Sequence, residues 1–275
     1  MLRLRKRSGN KSSFIFISAT FSYTYQLLSP YTDKLMKRKI GKFKSSISTL
    51  ELQDRVLREN TLILAEPGSG KTHLANKIRE FVIANGIPTL YLDFSNPTPD
   101  EVEEKFKKGS DFHYMCFNEN EEFNTALDQA IAQRQNIYMA VSPSFFASKR
   151  DIKSKLSQMM QKRELLDNYY YIMQEIASLE GFYTKFEDFM FYIFDLVNLK
   201  KFGLTFLAQP HEMFENPRIK LLFSFLFVGR CSNAYYYNTT VLRSMEPNTF
   251  LYQHRVDNRS LLFNNIQSDI VFIDE

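Results

Sequence analysis

The run Thr61-Leu-Ile-Leu-Ala-Glu-Pro-Gly-Ser-Gly-Lys-Thr72 constrains this chain more than any other stretch. It matches G-x-x-x-x-G-K-[ST] with Ala65 in place of the first glycine, a substitution the relaxed pattern allows. Apolar residues lead in and the helical stretch HLANKIREFVIANG leads out to Gly86, so the motif reads as the turn between a buried strand and a helix. In that setting the backbone N–H groups of Gly68, Ser69, Gly70 and Lys71 form a concave anion nest at the positive end of the helix. The residues Glu66, Pro67, Gly68, Ser69, Gly70, Lys71, Thr72 and His73 are therefore expected to wrap the phosphates of a nucleotide such as ATP. Lys71 would reach the β- and γ-phosphates and Thr72 would ligate Mg2+.

The rest of the chain agrees with an α/β fold. At 275 residues, 44% hydrophobic and 24% charged, it suits one large domain, or one domain with a short appendage. From residue 50 onward, short β-rich runs alternate with helical patterns, which predicts a largely parallel central sheet with flanking helices. The expected strands are Thr61–Ala65, Thr89–Phe94, His113–Phe117, Asn136–Val141, Tyr169–Met173, Leu204–Ala208, Leu222–Val228, Thr249–Gln253 and Asp269–Ile273. Phe186, Phe189, Met190, Ile193, Phe194 and Val197 recur at helical spacing and predict a core helix from Phe186 to Phe202, stopped by Gly203. Residues 147–168 read as a charged surface helix or excursion.

Residues 1–50 differ from the body, which spans residues 51–275. They hold Arg3, Arg5, Lys6, Arg7, Lys11, Lys34, Lys37, Arg38, Lys39, Lys42 and Lys44 against Asp33 alone, while the whole chain carries +4. A basic arm on an acidic body can meet DNA phosphates or an anionic membrane surface. The uncharged stretch between Lys11 and Asp33 is too rich in Ser and Thr for the roughly 20 apolar residues of a membrane span, so a strand pair or peripheral segment is expected there. Cys116 and Cys231 stand far apart without metal or disulfide spacing, which fits a reducing cytoplasm. The histidines His73, His113, His211 and His254 make no cluster in the sequence.

A bound triphosphate needs an acidic strand end beside the phosphate loop, and two strings compete for it. One is Ile270-Val-Phe-Ile-Asp274-Glu275, which closes the chain and leaves no downstream strand to carry a polar sensor. The other is Tyr169-Tyr-Tyr-Ile-Met-Gln174-Glu175, followed by the 186–202 helix and by Leu204-Thr-Phe-Leu-Ala-Gln209, a strand ending in an amide.

This order of phosphate loop, acidic strand end, helix and strand-terminal Gln resembles the FtsK/HerA superfamily of P-loop ATPases. Lys201-Phe-Gly-Leu-Thr-Phe-Leu-Ala-Gln209-Pro looks like that family's sensor segment, and the likeness extends over roughly residues 55–275. It implies a P-loop NTPase fold of the RecA-like, additional-strand type, with the Gln209 strand beside the strand of Glu175. It further implies that Glu175 polarises the attacking water, that Gln209 senses phosphate, and that Mg2+ is held by Thr72 and Gln174. Gln174 departs from the family's Asp, and a neutral amide is a weaker Mg2+ partner. Asp93, at the end of another strand, is either a compensating ligand or a hydrogen-bonding residue. Arg230 and Arg218 are candidates for a finger supplied to a neighbouring subunit.

The resemblance implies an ATP-hydrolysing motor that moves DNA for genome packaging, conjugation or phage assembly, working as a homo-oligomeric ring. Peripheral membrane or virion association is the variant. A non-motor P-loop switch and a hydrolysis-impaired nucleotide-binding subunit are the alternatives. GTP is disfavoured because no N-K-x-D string occurs.

Overall fold

The computed structural model describes residues 37–44, 48–95, 97–106, 112–118, 120–142, 156, 158–175, 199–211, 214, 219, 221–232, 239–255 and 266–274. Its strands, in chain order, are β1 (Arg38–Phe43), β2 (Thr49–Leu52), β3 (Thr61–Leu64), β4 (Thr89–Asp93), β5 (His113–Cys116), β6 (Ile137–Ala140), β7 (Tyr170–Gln174), β8 (Leu204–Ala208), β9 (Phe225–Val228), β10 (Thr249–Arg255) and β11 (Ile266–Ile273). The helices are α1 (Asp54–Arg58), α2 (Lys71–Ala84), α3 (Pro99–Phe106), α4 (Glu121–Ala132), α5 (Arg163–Asn168) and α6 (Thr239–Arg243).

These strands form one sheet in the order β2-β1-β11-β10-β9-β3-β8-β7-β4-β6-β5. Pairing is parallel from β9 through β5 and antiparallel from β9 through β2. Strands β3, β4, β6, β7 and β8 are buried at every position. This is why they read as unbroken apolar runs: a parallel strand covered by helices on both sides has no wet face. Alternate side chains nevertheless go to opposite faces. Leu62 and Leu64 join a cluster with Phe123 and Leu127 of α4 and Leu165 of α5, whereas Ile63 and Ala65 join Leu74, Ile78 and Phe81 of α2.

Two of the helix boundaries have a clear local cause. Helix α2 ends at Gly86, where Gly86 N–H donates to Ile83 O at 2.8 Å and Ile87 N–H to Val82 O at 3.3 Å, the paired bonds of a Schellman motif. Helix α4 begins at Asn120, whose side chain accepts from Phe123 N–H at 2.8 Å, with Glu121 and Glu122 in the first turn.

All nine expected strands are found, Leu204–Ala208 with the ends expected and the others with shifted ends. Strand β9 starts at Phe225 rather than Leu222, because Leu221 and Leu222 turn and the Leu222 carbonyl accepts from Asn60 Nδ2 at 2.9 Å. Residues 199–202 are turn and bend, so the expected helix does not reach Phe202. The rest of that helix, and residues 147–155 of the charged excursion, lie outside the described residues.

The boundary expected at residue 50 falls inside the sheet. Strand β1 pairs with β11 through Gly41↔Ile273, and β2 closes the edge. The chain separates into units Met1–Lys34 and Leu35–Glu275. The first unit, with Asp33 and the uncharged stretch before it, lies outside the described residues.

Candidate nucleotide site

The parallel strands β3, β8, β7 and β4 end at one edge of the sheet. Strand β8 stands between β3, which feeds the phosphate loop, and β7, which ends in Gln174 and Glu175. This is the additional-strand arrangement that the resemblance implied. Clefts at the carboxyl ends of such strands are where α/β folds bind ligands.

The loop from Ala65 to Gly70 is shaped for anions. Gly68 and Gly70 have φ of +74° and +91°, a conformation that a side-chain-bearing residue adopts only at a cost. Helix α2 starts at Lys71 with no side-chain cap and no acidic residue in its first turn, so the positive helix end is left for an external anion. Lys71 is buried and its Nζ donates to Ala65 O at 2.7 Å and to Glu66 O at 3.2 Å, which folds the ammonium back across the loop. The buried Ser69 hydroxyl has no hydrogen-bond partner among the described residues. A phosphate group would satisfy this set, so the residues present fit one.

Beside the loop, Glu66 accepts from Ser232 N–H at 2.6 Å and from the Ser232 hydroxyl. Those two bonds, aided by the charges of Arg230 and Lys71, hold the Glu66 carboxyl below its usual range. Arg230, at the end of β9, donates to Pro67 O at 3.2 Å and lies 3.8 Å from the Glu66 carboxylate. Its guanidinium thus turns back onto the phosphate loop of its own chain. Arg218 lies outside the described residues.

Across the cleft, Glu175 has φ of +56°. A non-glycine residue in this region is strained and persists where its surroundings fix it. Here Glu175 N–H donates to Leu207 O at 2.9 Å. Gln209 Nε2 donates to Glu175 Oε2 at 3.4 Å, so the two strand-end residues paired in the sequence reading meet in the fold.

Gln174 and Asp93 are neighbours in register on β7 and β4. The Tyr91 hydroxyl donates to Gln174 Oε1 at 2.5 Å, and the Tyr138 hydroxyl donates to Asp93 Oδ2 at 2.6 Å. Ser95 N–H and hydroxyl take Asp93 Oδ1 at 2.9 and 2.6 Å. Both phenols have their pKa raised, first by burial and then by neighbours including Asp93, so they stay neutral donors. The rings of Tyr91 and Tyr138 stack at 4.7 Å. Asp93 therefore has the hydrogen-bonding role weighed for it. No trio of His, Cys, Asp or Glu able to hold a metal is present among the described residues.

The competing string runs along β11, separated from β3 by β10 and β9. Its strand points the same way as β3, so Asp274 reaches the site edge, where its carbonyl meets His73 Nε2 at 2.8 Å. The meeting uses main chain, and the Asp274 side chain is exposed. Glu275 lies outside the described residues.

Asn248, which motif reading missed, lies against the phosphate loop: its N–H donates to Ser69 O at 3.1 Å. Glu246-Pro-Asn-Thr249 carries a turn signal, but only the fold reveals what the turn touches.

No protein family and no curated protein matches the sequence. Solved structures do. The chain is similar to the pCW3 conjugation coupling protein TcpA in its monomer form with ATPγS, at 12% identity and a TM-score of 0.50 over 88% of this chain and 67% of that one. It is also similar to the genome packaging NTPase B204 from Sulfolobus turreted icosahedral virus 2 in complex with AMP, at 10% identity and a TM-score of 0.44 over 77% and 96%. The flagellar accessory protein FlaH from Methanocaldococcus jannaschii gives 13% and 0.45 over 80% and 90%. At these identities the likeness shows the fold, which is the P-loop NTPase fold that the resemblance implied.

Proposed function

We propose that the chain binds and hydrolyses ATP. The observation that carries this reading is Lys71, whose ammonium is drawn back by the Ala65 and Glu66 carbonyls across an uncapped helix start flanked by two positive-φ glycines. The similarity of fold to TcpA, which was solved with ATPγS, supports the choice of ligand.

The loop amides and Lys71 bind the β- and γ-phosphates. Arg230, already against Pro67, adds positive charge from the same subunit. Glu175 orients the attacking water and takes its proton, and Gln209 holds the Glu175 carboxylate while reporting on the γ-phosphate. Thr72 is the residue to hold Mg2+ together with phosphate oxygens, and the ion would neutralise charge on the phosphates. The Gln174 amide, bonded to Tyr91, steadies the end of β7 rather than serving as a strong ligand.

We read the activity as that of a DNA-translocating motor in a homo-oligomeric ring. Strand order and the Gln209 sensor support this, as do the basic residues near the N-terminus. Six of the arm's eleven cations precede Leu35; of the other five, Arg38, Lys39 and Lys42 lie on β1 and Lys37 and Lys44 flank it, so this edge of the sheet offers positive charge to DNA phosphates or anionic lipid. No helix among the described residues is long and apolar enough to cross a membrane. One observation favours a second reading, a hydrolysis-impaired nucleotide-binding subunit. The residue beside Glu175 is an amide committed to Tyr91, where a carboxylate would serve Mg2+ better.

The test is the ATP hydrolysis rate with and without duplex DNA, with solution mass measured in parallel. A ring with DNA-stimulated turnover supports the motor. A nucleotide-binding monomer without turnover supports the second reading.

A further inference from the structure

The turn Glu246-Pro247-Asn248-Thr249 precedes β10 and lies behind the phosphate loop. Thr249 N–H donates to Glu246 O at 3.2 Å and Asn248 has φ of +62°, which with proline at the second position fits a type II turn. Such a turn needs glycine or asparagine at its third position.

This turn grips the loop through main chain. Asn248 N–H donates to Ser69 O at 3.1 Å, and Ile273 N–H of β11 donates to Asn248 O at 2.8 Å. Asn248 also fills the space beside Gly70: a Cβ placed on Gly70 would lie 2.1 Å from Asn248 Oδ1 and 3.1 Å from its backbone nitrogen. In a planar trans peptide the carbonyl and the following N–H point to opposite sides. Drawing the Ser69 carbonyl out to Asn248 therefore turns the Gly70 N–H away from Asn248, leaving it to face a phosphate held by the loop. A second tie holds the start of α2, since Asp274 O meets His73 Nε2 at 2.8 Å while Asp274 N–H donates to Ile40 O of β1 at 2.9 Å.

We infer that Asn248 is a positioning residue for the phosphate loop, setting the Ser69–Gly70 peptide so that the Gly70 amide faces the β-phosphate of the bound nucleotide. This rests on the reading of the loop as a nucleotide site. The antiparallel strands β10 and β11 thereby become part of the phosphate-binding apparatus.

The test compares wild type, Asn248→Gly, Asn248→Ala and Asn248→Val in the full chain, by calorimetric titration with ADP and AMP well below each variant's Tm. Glycine keeps both the positive φ and the N–H donor. Alanine and, more strongly, valine disfavour that φ. Asn248→Gly is expected to bind ADP nearly as wild type does. Asn248→Val is expected to bind ADP about tenfold more weakly, with AMP little changed, because AMP has no β-phosphate to lose the amide. A purely structural residue would lower Tm without altering the ratio of ADP to AMP affinity. Asn248→Ala shows a smaller loss in the same direction and serves if the valine chain does not fold. Wild-type ADP affinity in both the alanine and valine variants would overturn the inference. If wild type itself binds no nucleotide, the underlying reading falls instead.

Discussion

Gln209 donates from its amide to the Glu175 carboxylate across 3.4 Å, the two residues standing at the ends of adjacent parallel strands β8 and β7. Glu175→Gln is expected to retain ATP affinity and to lose hydrolysis by about 10²- to 10⁴-fold, the usual contribution of a positioned base. Gln209→Ala should lower kcat by less and leave affinity unchanged. Steady-state kinetics with parallel binding titrations check both.

Tyr91→Phe removes the phenol that donates to buried Gln174 Oε1. The expected cost is about 1 kcal/mol of stability, measured by urea unfolding, because one buried hydrogen bond is lost. Gln174→Asp sets a second carboxylate beside Asp93, its register neighbour. Its Tm should fall without ligand and recover with Mg2+ and ATP, since like charges repel until a cation joins them.

His254 stacks face to face on Phe225 with centroids 4.7 Å apart, and burial, helped by Arg55 and opposed by Glu59, holds its pKa below the usual 6.5. The folded chain therefore takes up its proton later than the unfolded chain does. Stability is full above pH 6.5 and declines as pH falls through 6.5 towards the lower folded value. The Tm of wild type should drop between pH 7.5 and 5.5 by about 1–2 °C more than that of His254→Phe, the ring being only partly buried.

Asp274→Asn should leave hydrolysis within about twofold of wild type, because the Asp274 side chain is exposed and only its main chain meets His73 and Ile40. Deleting residues 274 and 275 breaks both main-chain ties and should lower Tm. Abolished hydrolysis in Asp274→Asn would move the acidic strand end to β11.

The central strands and the phosphate loop were legible because burial on both faces leaves a continuous apolar run, and because the loop's glycines are required by its backbone. Strands β1 and β2 were not. The register shift between Lys39 and Gly41 breaks the alternation that marks a strand, and the cations of β1 read as a solvated arm. The pairing of Glu175 with Gln209 was implied by the family resemblance, not by the local pattern of either strand. Tyr91 with Gln174, Tyr138 with Asp93, and Asn248 with Ser69 join residues 83, 45 and 179 positions apart, respectively, and only the folded sheet brings them together.

The most direct test of the nucleotide site is calorimetric titration of ATP into wild type and Lys71→Ala, with Tm measured for both. Lys71 donates to the Ala65 and Glu66 carbonyls of its own loop, and its ammonium is not part of the apolar packing between α2 and the sheet, so its loss should leave the fold intact. Wild type should show saturable binding, and Lys71→Ala should bind about 100-fold more weakly at an almost unchanged Tm. Equal affinity in the two chains would contradict the assignment of this loop as the ATP site.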